Sequence, residues 1–95
     1  MSSATLLLIN DTSQEVTFGI YNAPDNKNIT VKVPGNRGQA KQTIGNVDTA
    51  RIIAAWTAKD QLFPSNDKPA CAGILFESAQ QWTVTLTNDG FTVTS

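Results

Sequence analysis

Histidine is absent from the 95 residues of this chain, and cysteine occurs only once. Without histidine, the chain lacks the commonest general base and the commonest transition-metal ligand. Serine–histidine–aspartate and cysteine–histidine arrangements are therefore excluded, and a zinc or copper site would have to consist of carboxylates. The lone Cys71 also excludes an internal disulfide. The sequence predicts a protein that is not an enzyme and holds no metal and no cofactor.

Charge is scarce as well. Only 16% of the residues are charged, seven basic and eight acidic, and the net charge is −1. The basic residues are scattered singly, so no basic stripe exists that would neutralise the phosphates of a nucleic acid. We therefore expect no nucleic-acid partner.

Long apolar runs are missing too. The longest N-terminal one, Leu6–Ile9, is far too short for a signal sequence or a membrane span, and no basic segment precedes it. From this we expect a cytoplasmic protein, for which a membrane partner is disfavoured.

Threonine and asparagine fill much of the chain instead. Threonine favours strands because its branched Cβ suits a pleated surface, and asparagine favours turns. The clearest case is the C-terminus, where Trp82, Val84 and Leu86 alternate with threonines before an Asn-Asp-Gly turn. Alternation resumes after the turn and predicts a hairpin, with Leu86 opposite either Val93 or Phe91 according to the position of the loop.

The N-terminus suggests a second hairpin, in which strands at 5–10 and 15–21 flank the turn residues 11–14. A four-residue loop would align Leu7 and Ile9 with the apolar face of the second strand. Leu6 and Leu8 would then lie on the opposite face, so this strand is either central and covered on both sides or uses that face as an interface between copies of the chain. We expect the interface.

The remaining segments are short and bounded by turns. Residues 49–62 allow either a strand or a helix, because four alanines and a following proline favour the helix, whereas paired isoleucines favour the strand. We prefer the strand. The sequence thus predicts one domain over residues 1–95, a small antiparallel β-sandwich or barrel of seven to eight short strands. The alternative is an α+β fold with one helix at about 49–62.

Two features could bind a ligand. Tyr21 is out of phase with the apolar residues of its strand and adjoins a turn rich in asparagine, so we expect a ligand site at Tyr21, Asn22, Asp25 and Asn26. The long loop 59–70 carries Leu62 and Phe63, which either contact a partner or fold back into the core.

These features favour a non-catalytic binding protein that self-associates, and the best candidate ligand is a carbohydrate, as in small lectin-like β-sandwiches. The first alternative is a structural protein that forms homo-oligomers through its N-terminal strand. The second is a membrane-active or inhibitory protein that acts through the 59–70 loop.

Overall fold

The computed structural model describes residues 2–23, 27–47, 49–57, 61–65, 67–68, 72–75 and 81–94. These residues are mostly β, and no helix occurs among them. The strands are β1 (Ser2–Asn10), β2 (Val16–Ala23), β3 (Lys27–Val33), β4 (Gly38–Val47), β5 (Thr49–Thr57), β6 (Ala72–Leu75), β7 (Gln81–Thr87) and β8 (Gly90–Thr94). They form two four-stranded sheets: sheet A has the order β4-β1-β7-β8, and sheet B the order β3-β2-β5-β6.

Both sheets are open, which corrects two expectations. A closed barrel has no edge strands, whereas sheet A ends in β4 and β8 and sheet B ends in β3 and β6, so the barrel is wrong. The helix at about 49–62 is wrong over Thr49–Thr57, because this segment is the strand β5. It is held between β2 and β6, each antiparallel to it. Residues 58–60 lie outside the described part of the chain.

The predicted C-terminal hairpin is confirmed. Leu86 is opposite Phe91, so the loop consists of Asn88 and Asp89. The hydroxyl of Thr87 accepts a hydrogen bond from the Asp89 N–H at 3.1 Å. Gly90 has a φ of 124°, a backbone conformation that residues with a side chain rarely adopt. The glycine of the Asn-Asp-Gly signal therefore lies after the turn and not within it.

The predicted N-terminal hairpin is wrong. β1 belongs to sheet A, where it pairs with β4 in antiparallel and with β7 in parallel orientation. β2 belongs to sheet B and pairs with β3 and β5. The turn residues 11–15 therefore connect one sheet to the other.

The inner faces of the two sheets share one core. Sheet A contributes Leu6, Leu8, Val84 and Leu86, all fully buried, and the rings of Phe18 in sheet B and Phe91 in sheet A lie 5.6 Å apart. The expected interface role of Leu6 and Leu8 is therefore corrected, because both side chains are inside the protein. The pairing with β7 agrees with this inward orientation. Leu6 lies opposite Trp82, and Leu8 lies opposite Val84, which is itself fully buried.

One end of the molecule is closed by two turns that bind each other. Asn36 donates its N–H to the oxygen of Thr12 at 2.7 Å, and Arg37 donates its N–H to the oxygen of Asn10 at 2.8 Å. Asn36 and Arg37 both have positive φ, 57° and 67°. Because the N–H of Gly38 also reaches the oxygen of Gly35 at 3.2 Å, these four residues form a tight turn with two left-handed central residues.

Candidate functional site

The outer face of sheet B carries Tyr21, the aromatic residue expected at a ligand site. In β2 the inward residues are Val16, Phe18 and Ile20, all buried. Since side chains alternate along a strand, Tyr21 lies on the opposite face. Its side chain is partly accessible.

The neighbouring strand β3 places polar side chains beside this ring. Tyr21 is paired with Asn28, and Thr17 is paired with Lys32. Thr30 lies between Asn28 and Lys32 on the same face, and all three are exposed. We call these five residues, Thr17, Tyr21, Asn28, Thr30 and Lys32, the Tyr21 face. They place an aromatic ring, an amide, two hydroxyls and one ammonium on one surface.

The middle of this face is closed. Gly19, paired with Thr30, has no side chain, yet it is buried. Neighbouring side chains therefore cover its backbone. Among the side chains of this face that the structure describes, the accessible ones are those of Thr17, Tyr21 and β3.

The structure describes one of the three other residues expected at this site. Asn22 belongs to β2, where its backbone is paired with Lys27. Asp25 and Asn26 lie outside the described residues. Of the expected set, the structure therefore places Tyr21 and the backbone of Asn22.

The 59–70 loop does not present Phe63 to a partner. Phe63 is only 5% exposed and belongs to the core cluster. Leu62 beside it is half-buried. Contact with a membrane or partner through Phe63 is therefore wrong, because this ring already fills part of the core between the sheets.

The outer face of sheet A offers a second surface. Leu7 is half-buried there, beside Lys41 of β4 and Thr83 of β7. An open depression of about 230 Å³ is lined by Leu7, Gln39, Ala40 and Lys41. The rest of this face is rich in threonine, including Thr92 and Thr94 on β8, both exposed.

In the described part of the chain, no group of three or more histidine, cysteine or acidic residues could hold a metal ion. Nor does that part contain a helix with the length and apolarity needed to cross a membrane.

Comparison with known proteins shows a fold likeness. No family model matches the chain, and no curated protein matches it either. Among solved structures, it is similar to the NMR structure of a protein from Eubacterium rectale, with a TM-score of 0.58 and 16% identity. The match covers 97% of this chain and 86% of the other. At this identity the likeness concerns the fold.

Sequence reasoning missed Asn28, Thr30 and Lys32 as neighbours of Tyr21. The residues after Tyr21 were expected to form a turn rich in asparagine, whereas β2 continues to Ala23 and β3 begins at Lys27. The alternation of these polar residues with Ile29, Val31 and Val33 carries the signal. Pairing β3 with β2 as a hairpin would have identified them.

Proposed function

We propose that this chain is a non-catalytic binding protein with a β-sandwich architecture, and that the Tyr21 face binds a carbohydrate. The observation that carries the proposal is the pairing of Tyr21 with Asn28, which sets an aromatic ring beside an exposed amide.

The chemistry of the Tyr21 face fits a sugar better than it fits other small ligands. A sugar has an apolar C–H surface and a rim of hydroxyls. A tyrosine ring supplies an apolar surface with a polar end. Asn28 can both donate and accept hydrogen bonds, and so can the hydroxyl of Thr30, whereas Lys32 only donates. A few directed polar groups around an apolar contact are typical of small-molecule sites.

A glycan array probed with the intact protein tests the proposal. We expect the wild type to bind at least one glycan, Tyr21→Ala to lose that binding, and Tyr21→Phe to keep most of it because the ring remains. Thr94→Ala, on the outer face of the other sheet, is the matched control and should bind like the wild type.

Two outcomes would contradict the proposal. One is a wild-type protein that binds no glycan at high protein concentration. The other is equal loss of binding in Tyr21→Ala and Thr94→Ala, which would place the ligand elsewhere.

Self-association is a second proposal, and it now depends on a different surface. Leu6 and Leu8 cannot mediate it, because both are buried in the core. What supports it is the edge strand β4, ten residues long and paired only with β1 among the described strands.

A further inference from the structure

The free edge of β4 has a defined hydrogen-bonding pattern. In an antiparallel pair, successive residues direct their backbone groups alternately toward the partner strand and away from it. The oxygen of Asn10 accepts from Arg37 on the β4 side, whereas the N–H of Asp11 donates to Leu86 on the β7 side. The even-numbered residues of β1 therefore direct their backbone groups toward β4.

The register of β4 then shows which of its residues are bound. Ala40 is paired with Leu8 and Gln42 with Leu6, so these two residues of β4 bond to β1. Gln39, Lys41 and Thr43 direct their N–H and C=O groups to the free edge. The oxygen of Thr43 accepts a hydrogen bond from the Nε2 of Gln42 at 3.1 Å, in an exposed bond that a partner strand would share or displace.

β4 is also the least protected of the four edge strands. β6 has four residues and β8 has five, while β3 carries two lysines and is followed by a proline. Short strands, lysine and proline are the usual means of preventing pairing at an edge. β4 has ten residues, no proline and a single lysine, Lys41. Its one irregularity, a bulge, lies near its C-terminal end between the pairs Ala4–Ile44 and Ser2–Val47.

Among the described strands, only β1 pairs with β4. β3 contacts β4, and β6 contacts β8, so β4 and β6 lie on opposite sides of the two sheets. No other strand of the described ranges pairs with the outer side of β4.

We propose that a second copy of this chain adds to the free edge of β4 in antiparallel orientation, with a two-fold axis at Gln42. This register places Lys41 opposite Thr43 of the partner subunit, and Thr43 opposite the partner subunit's Lys41. Both residues direct their backbone groups to the edge, so each pair exchanges two hydrogen bonds.

The charge on the edge disfavours one of the two neighbouring registers. An axis at Lys41 would set the two lysines directly opposite each other, which is unfavourable. The axis at Gln42 keeps the two lysines apart. It places the two Gln42 side chains opposite each other, on the face of the sheet that carries Leu6. The same surface is used by both copies, as a two-fold interface requires. The result is a continuous sheet formed by the two copies of sheet A.

This dimer specifies the surface for the self-association proposed above and is independent of the carbohydrate proposal. Sedimentation of the full chain over a range of concentrations tests it. We expect a concentration-dependent dimer for the wild type and a monomer for Thr43→Pro, because proline removes an edge-directed N–H that β1 does not use. Thr43→Ala keeps this N–H and should dimerise like the wild type.

A charge exchange tests the register. Thr43→Lys places a lysine opposite the partner's Lys41 at both ends of the two-fold, and we expect about tenfold weaker dimerisation. Adding Lys41→Glu should restore it, since each lysine then faces a glutamate. Thr94→Lys adds the same charge on β8 and should leave the dimer unchanged.

Three outcomes would each contradict one part of the proposal: self-association, the β4 edge as its site, or the register. A wild type that stays monomeric at every concentration overturns self-association altogether. A dimer that persists in both Thr43→Pro and Thr43→Lys overturns the β4 edge as its site. A dimer weakened by Thr43→Lys but not restored by Lys41→Glu overturns the register with the axis at Gln42.

Discussion

The side-chain amide of Asn10 joins the two sheets, because its Nδ2 lies 3.0 Å from the main-chain oxygen of Val33. Asn10 ends β1 in sheet A, and Val33 ends β3 in sheet B. The same Nδ2 donates to the oxygen of Gln14 at 2.8 Å, and the Oδ1 accepts from the hydroxyl of Thr12 at 2.6 Å. Asn10 is fully buried, so each of these groups depends on the others for its hydrogen bonds.

Asn10→Ala should lower the free energy of unfolding by about 3 kcal/mol, because it removes the buried amide that donates to the oxygens of Val33 and Gln14, and it leaves the Thr12 hydroxyl only its bond to Gln14. Denaturant unfolding measures this. Asn88→Ala, at an exposed turn position, should change stability by less than about 0.5 kcal/mol. Equal effects of the two substitutions would show that the buried amide does not tie the sheets together.

Asn10→Asp should make stability depend on pH in a defined direction. The new carboxyl is buried and faces two carbonyl oxygens, so its pKa in the folded protein is raised above the unfolded value. The folded state then binds more protons than the unfolded state, and stability is lost as the pH rises through the folded pKa. Unfolding curves at acidic and neutral pH should show the variant closest to the wild type at acidic pH. A variant that gains on the wild type as the pH rises would contradict this.

Arg37→Gly should stabilise the protein by about 1 kcal/mol. Arg37 has a φ of 67°, which is unfavourable for a residue with a side chain, and Asn-Gly is the preferred central pair for such a turn. The ion pair of Arg37 with Asp11, 3.6 Å and largely exposed, contributes little. Asp11→Ala, which removes only the ion pair, should therefore have a small effect on the thermal midpoint. A lower midpoint for Arg37→Gly would contradict the expectation.

Leu8→Ala should cost about 3 kcal/mol and Leu7→Ala distinctly less. Leu8 is fully buried between the sheets, and its truncation leaves a cavity. Leu7 lies on the outer face and is half-buried. Paired measurements of the two variants by chemical denaturation check which face of β1 is the core, and the reverse order of costs would show that the strand faces are exchanged.

Phe63→Ala should cost about 3 kcal/mol, because the ring belongs to the core cluster. Gln61→Ala, two residues earlier and exposed, is the control and should be nearly neutral. Thermal unfolding distinguishes them. A Phe63→Ala protein as stable as the wild type would mean that the loop does not pack its ring into the core.

The C-terminal hairpin could be predicted because all of its determinants are local. Alternation of Trp82, Val84 and Leu86 with threonines identifies one face, and the Asn-Asp-Gly signal identifies the turn. Even so, two registers were compatible with the alternation. Only the structure chose Leu86 opposite Phe91, through the conformation of Gly90 and the Thr87 hydroxyl.

The partners of β1 could not be predicted in the same way. Four apolar residues in a row, Leu6–Ile9, have no alternation that distinguishes one face from the other. The inference of a hairpin with β2 then assigned the faces incorrectly, because strands adjacent in sequence are often but not always neighbours in a sheet. Parallel pairing with β7, distant in the chain, decided that Leu6 and Leu8 are inside.

By itself, the sequence determined the mostly β character of this protein and its C-terminal hairpin, since these follow from local periodicity and turn chemistry. It left residues 49–62 open between a strand and a helix, and pairing with β2 and β6 decided the strand. The tertiary structure decided which strands are neighbours, which face of β1 is buried, that Phe63 lies in the core, and that Asn28 lies beside Tyr21. The alternation of apolar and polar residues along a strand shows only which side chains share a face of the sheet. Which face is inside, and which strand edge remains free, depends on contacts between distant segments that no local pattern records.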